Sequence, residues 1–300
     1  MLKKIYILIP LSIFAFFAYA QKDTTKSGSL LDLLEEEPEI EYAKYSFKTN
    51  RIINMHSLEN TAAGVMDVKI SHRFGVVDEG FYNLFGLDVA TQRIGVDLGL
   101  TNNLQIGVNR NSVRKAFDGY AKYRILRQSS GKRVMPITLS LFTSIAIEAQ
   151  KPDNPTRENY FSSKLFYCNQ LIIGRKLNDI FTLQVTPTHV HRNLVALKSD
   201  PNDVYAVGVG GRIRLSRRMT FNFEYIPLIT KLNDVQGNSL SVGLDVETGG
   251  HVFQFHFTNS DSMAEYKYVA GTEKNWGADA IRFGFNVSRV FTVWGGEKRK

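Results

Sequence analysis

From about Gly64 onward the chain alternates apolar and polar residues with a period of two, segment after segment. That is the mark of extended strands with two unlike faces. Ile94, Val96, Leu98 and Leu100 share one face, while Arg93, Gly95, Asp97 and Gly99 share the other. Phe221, Phe223 and Tyr225 oppose Asn222 and Glu224, and Phe253, Phe255 and Phe257 oppose Gln254, His256 and Thr258. The pattern predicts strands near 65–75, 92–100, 104–111, 118–127, 134–147, 160–175, 180–191, 204–215, 219–229, 238–247, 251–259 and 279–292. One register stays open: in 160–175, Phe166 and Ile172 fall on an otherwise polar face.

Alternation alone fits any half-buried antiparallel sheet, so strand length and loop length must decide. The predicted strands commonly run to 9–14 residues. Soluble strands average ~5–6, whereas a tilted strand crossing a bilayer needs ~9–11. Tight turns at 101–103, 129–131, 178–179, 216–218 and 248–250 alternate with longer loops near 76–91, 149–158, 193–203, 230–237 and 261–278. The connection around 112–117 is the one weak member of the long set. Short turns on one side and long loops on the other are the habit of transmembrane barrels. The expected fold is therefore all-β, a single antiparallel transmembrane β-barrel of about twelve strands. Its ends lie in the periplasm and its long loops outside. The wall closes because the bilayer offers an open edge no hydrogen-bond partner. Tyr45 to Ile53 also alternates, and with a further strand near 264–271 it would make a fourteen-strand barrel.

The start of the chain sets the compartment. Lys3 and Lys4 precede an apolar run from Ile5 to Phe17, and Ala18-Tyr19-Ala20 has the small-x-small form of a signal-peptidase site. A signal peptide of residues 1–20 is expected, cleaved before Gln21. A segment 21–63 follows, then the barrel at 64–294 and a basic tail at 295–300. Losing Lys3 and Lys4 from 37 basic residues against 29 acidic ones leaves a mature net charge of +6. That excess is scattered, whereas a nucleic-acid binder clusters it on one patch, so no nucleic-acid partner is expected. Cys168 is the only cysteine, which excludes an internal disulfide and a cysteine metal site.

With the apolar face turned to lipid, the inner face is charged and mixed in sign. Asp67, Lys69, Arg73, Arg93, Asp97, Lys122, Arg124, Arg212, Arg214, Glu224, Asp245, Glu247 and Arg282 are the candidate lumen-lining residues. Two readings fit them: ion pairs spanning and stiffening a narrow barrel, or a polar path that filters ions or small solutes, as charged rings do in pores.

Chemistry-bearing motifs are sparse. His189 and His191 share a strand face but lack carboxylate or cysteine companions at useful spacing in sequence. Ser57 and Ser71 merely adjoin His56 and His72, which puts each pair on opposite faces of an extended chain rather than in a Ser-His arrangement. Gly208-Val209-Gly210-Gly211 continues into a strand, so it is no dinucleotide loop; glycine there leaves room for large neighbours such as Arg212. No catalytic residue, metal or cofactor is assigned.

The segment before the barrel differs in kind. Ser29 can cap a short helix carrying Leu30, Leu31, Leu33 and Leu34, ended by Pro38 and rich in glutamate. Arg51-Ile52-Ile53-Asn54-Met55-His56 could be an extra strand or a lumen plug. In the second case Arg51, Asn54 and His56 are the candidate plug or gate residues.

RIINMHSLEN (51–60), ISHRFG (70–75), FGLD (85–88), DGYAKYRILRQSSGKR (118–133), YFSSKLFY (160–167), HRNLV (191–195) and VETGGHVFQFHFTNS (246–260) resemble a bacterial β-barrel family, domain of unknown function 5777. The terminal FGFNVSRVFTV (283–293) fits its last strand. The likeness spans most of residues 40–293 and implies an outer-membrane barrel of Gram-negative bacteria, porin-like in build. It brings no substrate and no site residues. The expected partners are outer-membrane lipid, the barrel-assembly machinery and a periplasmic protein docking on 21–56. The expected function is a passive solute or ion pathway; the alternatives are a non-conducting scaffold for a periplasmic or envelope partner and, third, a barrel enzyme acting on lipid.

Overall fold

The computed structural model describes residues 39–151, 155–156, 158, 160–195, 197–232, 237–277 and 279–295. The expected signal peptide, the short acidic helix and residues 296–300 of the tail lie outside the described residues. The elements in chain order are β1 (Ile40–Tyr42), β2 (Val65–Val76), β3 (Ala90–Gly99), β4 (Leu104–Asn111), β5 (Ala116–Leu126) and β6 (Ser129–Gly131). They continue with β7 (Thr138–Glu148), β8 (Leu165–Lys176), β9 (Phe181–Arg192), β10 (Asp203–Arg214), β11 (Met219–Ile226), β12 (Ser239–Thr248), β13 (His251–Thr258), helix α1 (Glu265–Ala270) and β14 (Arg282–Thr292).

Twelve of these strands, β2–β5 and β7–β14, form one closed barrel in chain order. All pairings are antiparallel, and β14 closes on β2 from Gly284↔Arg73 to Thr292↔Val65. Closure leaves no wall strand with an unpaired edge, the only way a sheet can satisfy its backbone in hydrocarbon. The two extra strands stand apart: β1 pairs with β6 in the β5–β7 connection, Ile40 opposite Gly131.

The period-two pattern becomes two faces. Outward side chains such as Val108, Ile145 and Phe255 are exposed, while Gln105, Ser144 and Gln254 behind them are buried. Three strands, β7, β8 and β14, begin three or more residues later than the pattern suggests. Residues 127–137 are taken up by β6 and a Ser129↔Met135 bridge, and 161–164 form a 3-10 turn before β8. The fourteen-strand alternative is overturned. Tyr45 to Ile53 joins no barrel strand, and 265–270 coil into α1.

The interior is itself two-sided. Phe142, Cys168, Ile172, Val190, Val204 and Ile226 make an apolar crescent on β7–β11, packed against Phe47, Ile52, Met55 and Leu58 and against Tyr266, Tyr268 and Val269 near α1. Phe166 and Ile172 thus face inward, and the Phe166 ring stacks on Tyr266 at 4.3 Å. The alternation at 45–53 reflects this divided interior, apolar on one side and charged on the other, rather than a lipid boundary.

Candidate functional site: a lumen occupied from both ends

Two inserts fill the barrel interior. Residues 46–61 run in ahead of β2, at the end where the tight turns lie, and double back on themselves. Ile52 N–H donates to Met55 O at 2.8 Å, Ser57 N–H to Asn50 O at 3.0 Å, and Arg51 bridges His56. The tip holds Ile52, Ile53 and Met55, all essentially solvent-free. The second insert, 259–272 with α1, belongs to the long-loop end between β13 and β14. The two meet at Glu265, whose Oε1 lies 2.8 Å from Arg51 Nη2 and 3.3 Å from His56 Nε2.

The wall grips the first insert largely through its backbone. Glu224 on β11 accepts the N–H groups of Ile53, Asn54 and Met55 at 3.3, 2.9 and 2.9 Å. Gln254 and Gln184 donate to Ile52 O and His56 O at 2.8 and 2.7 Å. Lys122 reaches Ser57 O and Glu59 O at 2.7 and 2.6 Å, Arg124 reaches Leu58 O at 3.1 Å, and Arg212 reaches Ser46 O at 3.0 Å. Side chains add to the hold: Arg73 Nη2 donates to Asn54 Oδ1 at 2.8 Å, and Asn54 Nδ2 to Ser241 Oγ at 3.0 Å. A tight turn carries backbone groups that no strand pairs, and burying them unpaired would cost ~1–3 kcal/mol each. The polar lumen supplies those partners.

The charges are arranged in short-range sets rather than as a ring around open space. Lys69 contacts Asp97 at 2.5 Å and Asp67 at 3.2 Å, and Asn50 of the insert donates to the same Asp97 oxygen at 2.9 Å. Arg93 pairs with Asp118 at 2.6 Å and lies 3.6 Å from Glu265. Burial alone would raise the Glu265 pKa, but Arg51 and Arg93, with His56, hold it well below the usual carboxylate range. Burial, reinforced by Arg51, pushes the His56 pKa far down, so the imidazole is neutral. Beside Arg51, Asn54, Arg73 and Arg93 only about 10 Å³ of free space remains, room for about one water.

Among the sequence-predicted lumen residues, Asp67, Lys69, Arg73, Arg93, Asp97, Lys122, Arg124, Arg212, Glu224 and Asp245 are buried in the interior. Three are not. Arg214 and Glu247 are exposed at the turn end, where strand parity no longer encloses a side chain, and Glu247 pairs with Lys48 at 2.5 Å. Arg282 is half-buried at the opposite rim and donates to Phe74 O at 3.3 Å. The glycines of β10 make room for the insert rather than for Arg212: a Cβ on Gly208 would meet Met55 Cε at 2.6 Å, and one on Gly210 would meet Ile52 Cδ1 at 2.5 Å. Asp118 and Tyr120 are buried on the same inner face, sharing strand parity with Lys122 and Arg124. Glu265 lies in the 264–271 stretch that suggested a further strand, and nothing local marks it as the partner of Arg51. His189 and His191 lie on the outer face, and their carboxylate companion is Asp203 on the neighbouring strand, 2.8 Å from a nitrogen of each ring. Among the described residues no three such side chains are placed to hold a metal ion.

A family model described as a membrane bound beta barrel domain matches residues 47–291. No curated protein sequence matches the chain. Among solved structures, the NanC porin aligns at 10% identity with a TM-score of 0.47, covering 75% of this chain and 98% of its own. The KdgM porin aligns at 11% identity with a TM-score of 0.47, covering 76% of this chain and 99% of its own. The Acinetobacter baumannii outer membrane protein Omp33 aligns at 10% identity with a TM-score of 0.42, covering 79% of this chain and 100% of its own.

Proposed function

The chain belongs to the membrane bound beta barrel domain family, domain of unknown function 5777, and on that premise we propose that it is an outer-membrane pathway for small solutes or ions, closed at rest by residues 46–61. The observation that carries this reading is the Glu224 grip on the backbone of Ile53, Asn54 and Met55. The insert is held by hydrogen bonds, ion pairs and packing, and it belongs to no rung of the wall. It can therefore leave without opening the barrel wall, and its departure would bare Lys69, Arg73, Asp97, Lys122 and Glu224 at the turn end, with α1 and its loop as the remaining barrier that a passing solute must displace. Arg51, Asn54 and His56 are then gate residues: each bonds or pairs with a group outside the insert, and those contacts must break together.

A second reading has its own support. Space for about one water beside the charged cluster suits a barrel that never conducts and instead presents its N-terminal segment to a periplasmic partner. Single-channel conductance of the refolded protein, with and without residues 21–56, separates the two. The gated pathway requires steps that appear or grow on deletion. Silence from both forms, with the barrel still heat-modifiable on a gel, would establish the scaffold instead.

A further inference from the structure

On β7–β10 the register stacks outward side chains into rows that cross four strands. One row, Thr143↔Asn169↔His189↔Tyr205, is polar or amphipathic throughout. The row above it toward the long loops, Ile145↔Tyr167↔His191↔Asp203, ends in an ionisable pair. The row below is apolar: Leu141 opposite Leu171, and Pro187 opposite Val207.

A groove of about 330 Å³ runs along this face, lined by Leu141, Leu171, Pro187, Val207 and Ile229, with Asn169, His189 and Tyr205 at its polar end. Proline has no N–H to give the ladder. The β8–β9 pairing passes from Gln170↔Thr188 to Ile173↔Val185 with no partners between and no change of register. The opposite margin is set by Ile229, whose N–H donates to Tyr205 O at 2.8 Å. The volume lies in the ~300–1,000 Å³ range of small-molecule sites.

The polar end is built. His189 Nε2 and His191 Nδ1 both lie 2.8 Å from Asp203 Oδ1. Thr143 Oγ1 donates to Asn169 Oδ1 at 2.9 Å, which leaves the Asn169 amide as a donor. The Tyr205 ring stacks on His189 at 5.0 Å. These contacts use Asp203 Oδ1 and Asn169 Oδ1 and leave the second Asp203 oxygen and the Asn169 amide to meet a polar ligand, while the groove beneath suits an apolar one. The wall around them is continuous with the membrane-facing surface of the barrel. One molecule with a chain and a head satisfies both.

We propose that this groove is a lipid-binding site. One acyl chain of a zwitterionic glycerophospholipid lies over Leu171, Pro187 and Val207, and its headgroup sits between Asn169, His189 and Asp203. The Asp203 carboxylate receives the headgroup ammonium, the Asn169 amide donates to the phosphate, and the His189 ring, held to Asp203 through Nε2, packs beside the headgroup. The site is independent of whether the lumen conducts.

The test is native mass spectrometry of the purified full chain titrated with phosphatidylethanolamine. One adduct should survive collisional activation. Val207→Trp, which fills the groove, should lower its retention at least tenfold, while Val96→Trp on another part of the outer wall should leave it unchanged. His189→Ala, which leaves the apolar lining intact, should lower retention severalfold, and phosphatidylglycerol should be held less well than phosphatidylethanolamine. Equal adducts on the Val207→Trp and Val96→Trp proteins, equal retention of both lipids, or a dimer mass in place of a lipid adduct would each overturn the assignment.

Discussion

At the scale of single residues, the resting state hangs on a few buried polar groups. Glu224 is fully buried and takes three backbone donors of the insert tip. Hydrogen bonds to a charged group are worth ~1.5–3 kcal/mol each. Glu224→Gln keeps the shape and loses the charge, and should weaken the insert's hold by about 2 kcal/mol. With Met55→Cys in a Cys168→Ser background, maleimide labelling in the folded barrel should then run about 30-fold faster, since ~1.4 kcal/mol is tenfold. An unchanged rate would mean that Glu224 does not hold the tip.

His56 adds a dependence on pH. It sits between the rings of Tyr120 and Phe142, with Arg51 and Lys122 as nearby cations and Glu265 as the nearby anion. Its folded pKa lies below the unfolded value of ~6.5 because of burial first and Arg51 second. The unfolded or released state therefore binds the proton more readily. The stability that neutral His56 contributes is full above about pH 6.5 and falls as pH drops below it. Divided by the rate for the unfolded protein at the same pH, which removes the thiol's own titration, labelling at Met55→Cys should accelerate on acidification from pH 7.5 to 5.5. His56→Gln should flatten that part of the profile, and a profile that does not change would exclude His56 as the sensor.

At the scale of elements, strand β10 is shaped to its occupant. Glycine at 208 and 210 faces inward where Met55 and Ile52 approach, so added bulk strikes the insert tip rather than the wall. Overpacking a filled interior costs ~1–3 kcal/mol, and the detachable partner is the one that yields. Gly210→Val should leave the heat-modifiable barrel intact while exposing residues 46–61 to protease and raising any conductance. Loss of the folded barrel itself would show instead that the tip is structurally inseparable from the wall. The same element-level reasoning explains α1: six residues are too few to stand alone as a helix, and its Tyr266, Tyr268 and Val269 are buried against the apolar crescent.

At the scale of the whole molecule, the segment from the turn end and the loop from the long-loop end touch through Arg51 and Glu265 at 2.8 Å. Their positions are 214 residues apart in sequence. Breaking a buried ion pair by removing one partner costs ~3–5 kcal/mol, because the other charge is stranded, while replacing both is much milder. Arg51→Met or Glu265→Gln alone should each lower the thermal midpoint of the folded protein, and the double variant should recover part of that loss. Additive losses would mean that the two inserts occupy the same lumen without depending on each other.

The twelve strands and the direction of most of their side chains were legible in the sequence, because a strand alternates its side chains whatever surrounds it and lipid tolerates few polar residues; only the register of 160–175 stayed open. That local rule placed Lys122, Arg124, Glu224 and Asp245 on the inner face before any fold was known. It failed at Arg214 and Glu247, where the strand outruns the enclosure, and at Tyr45 to Ile53, where alternation answers to the divided interior rather than to membrane and lumen. What the lumen contains was decided by the tertiary structure alone. Glu265 reaches Arg51, and Glu224 reaches the backbone of Ile53 to Met55, through contacts between distant parts of the chain. No period links such residues, so only the closed barrel, by bringing both inserts into one small volume, determines which charge meets which.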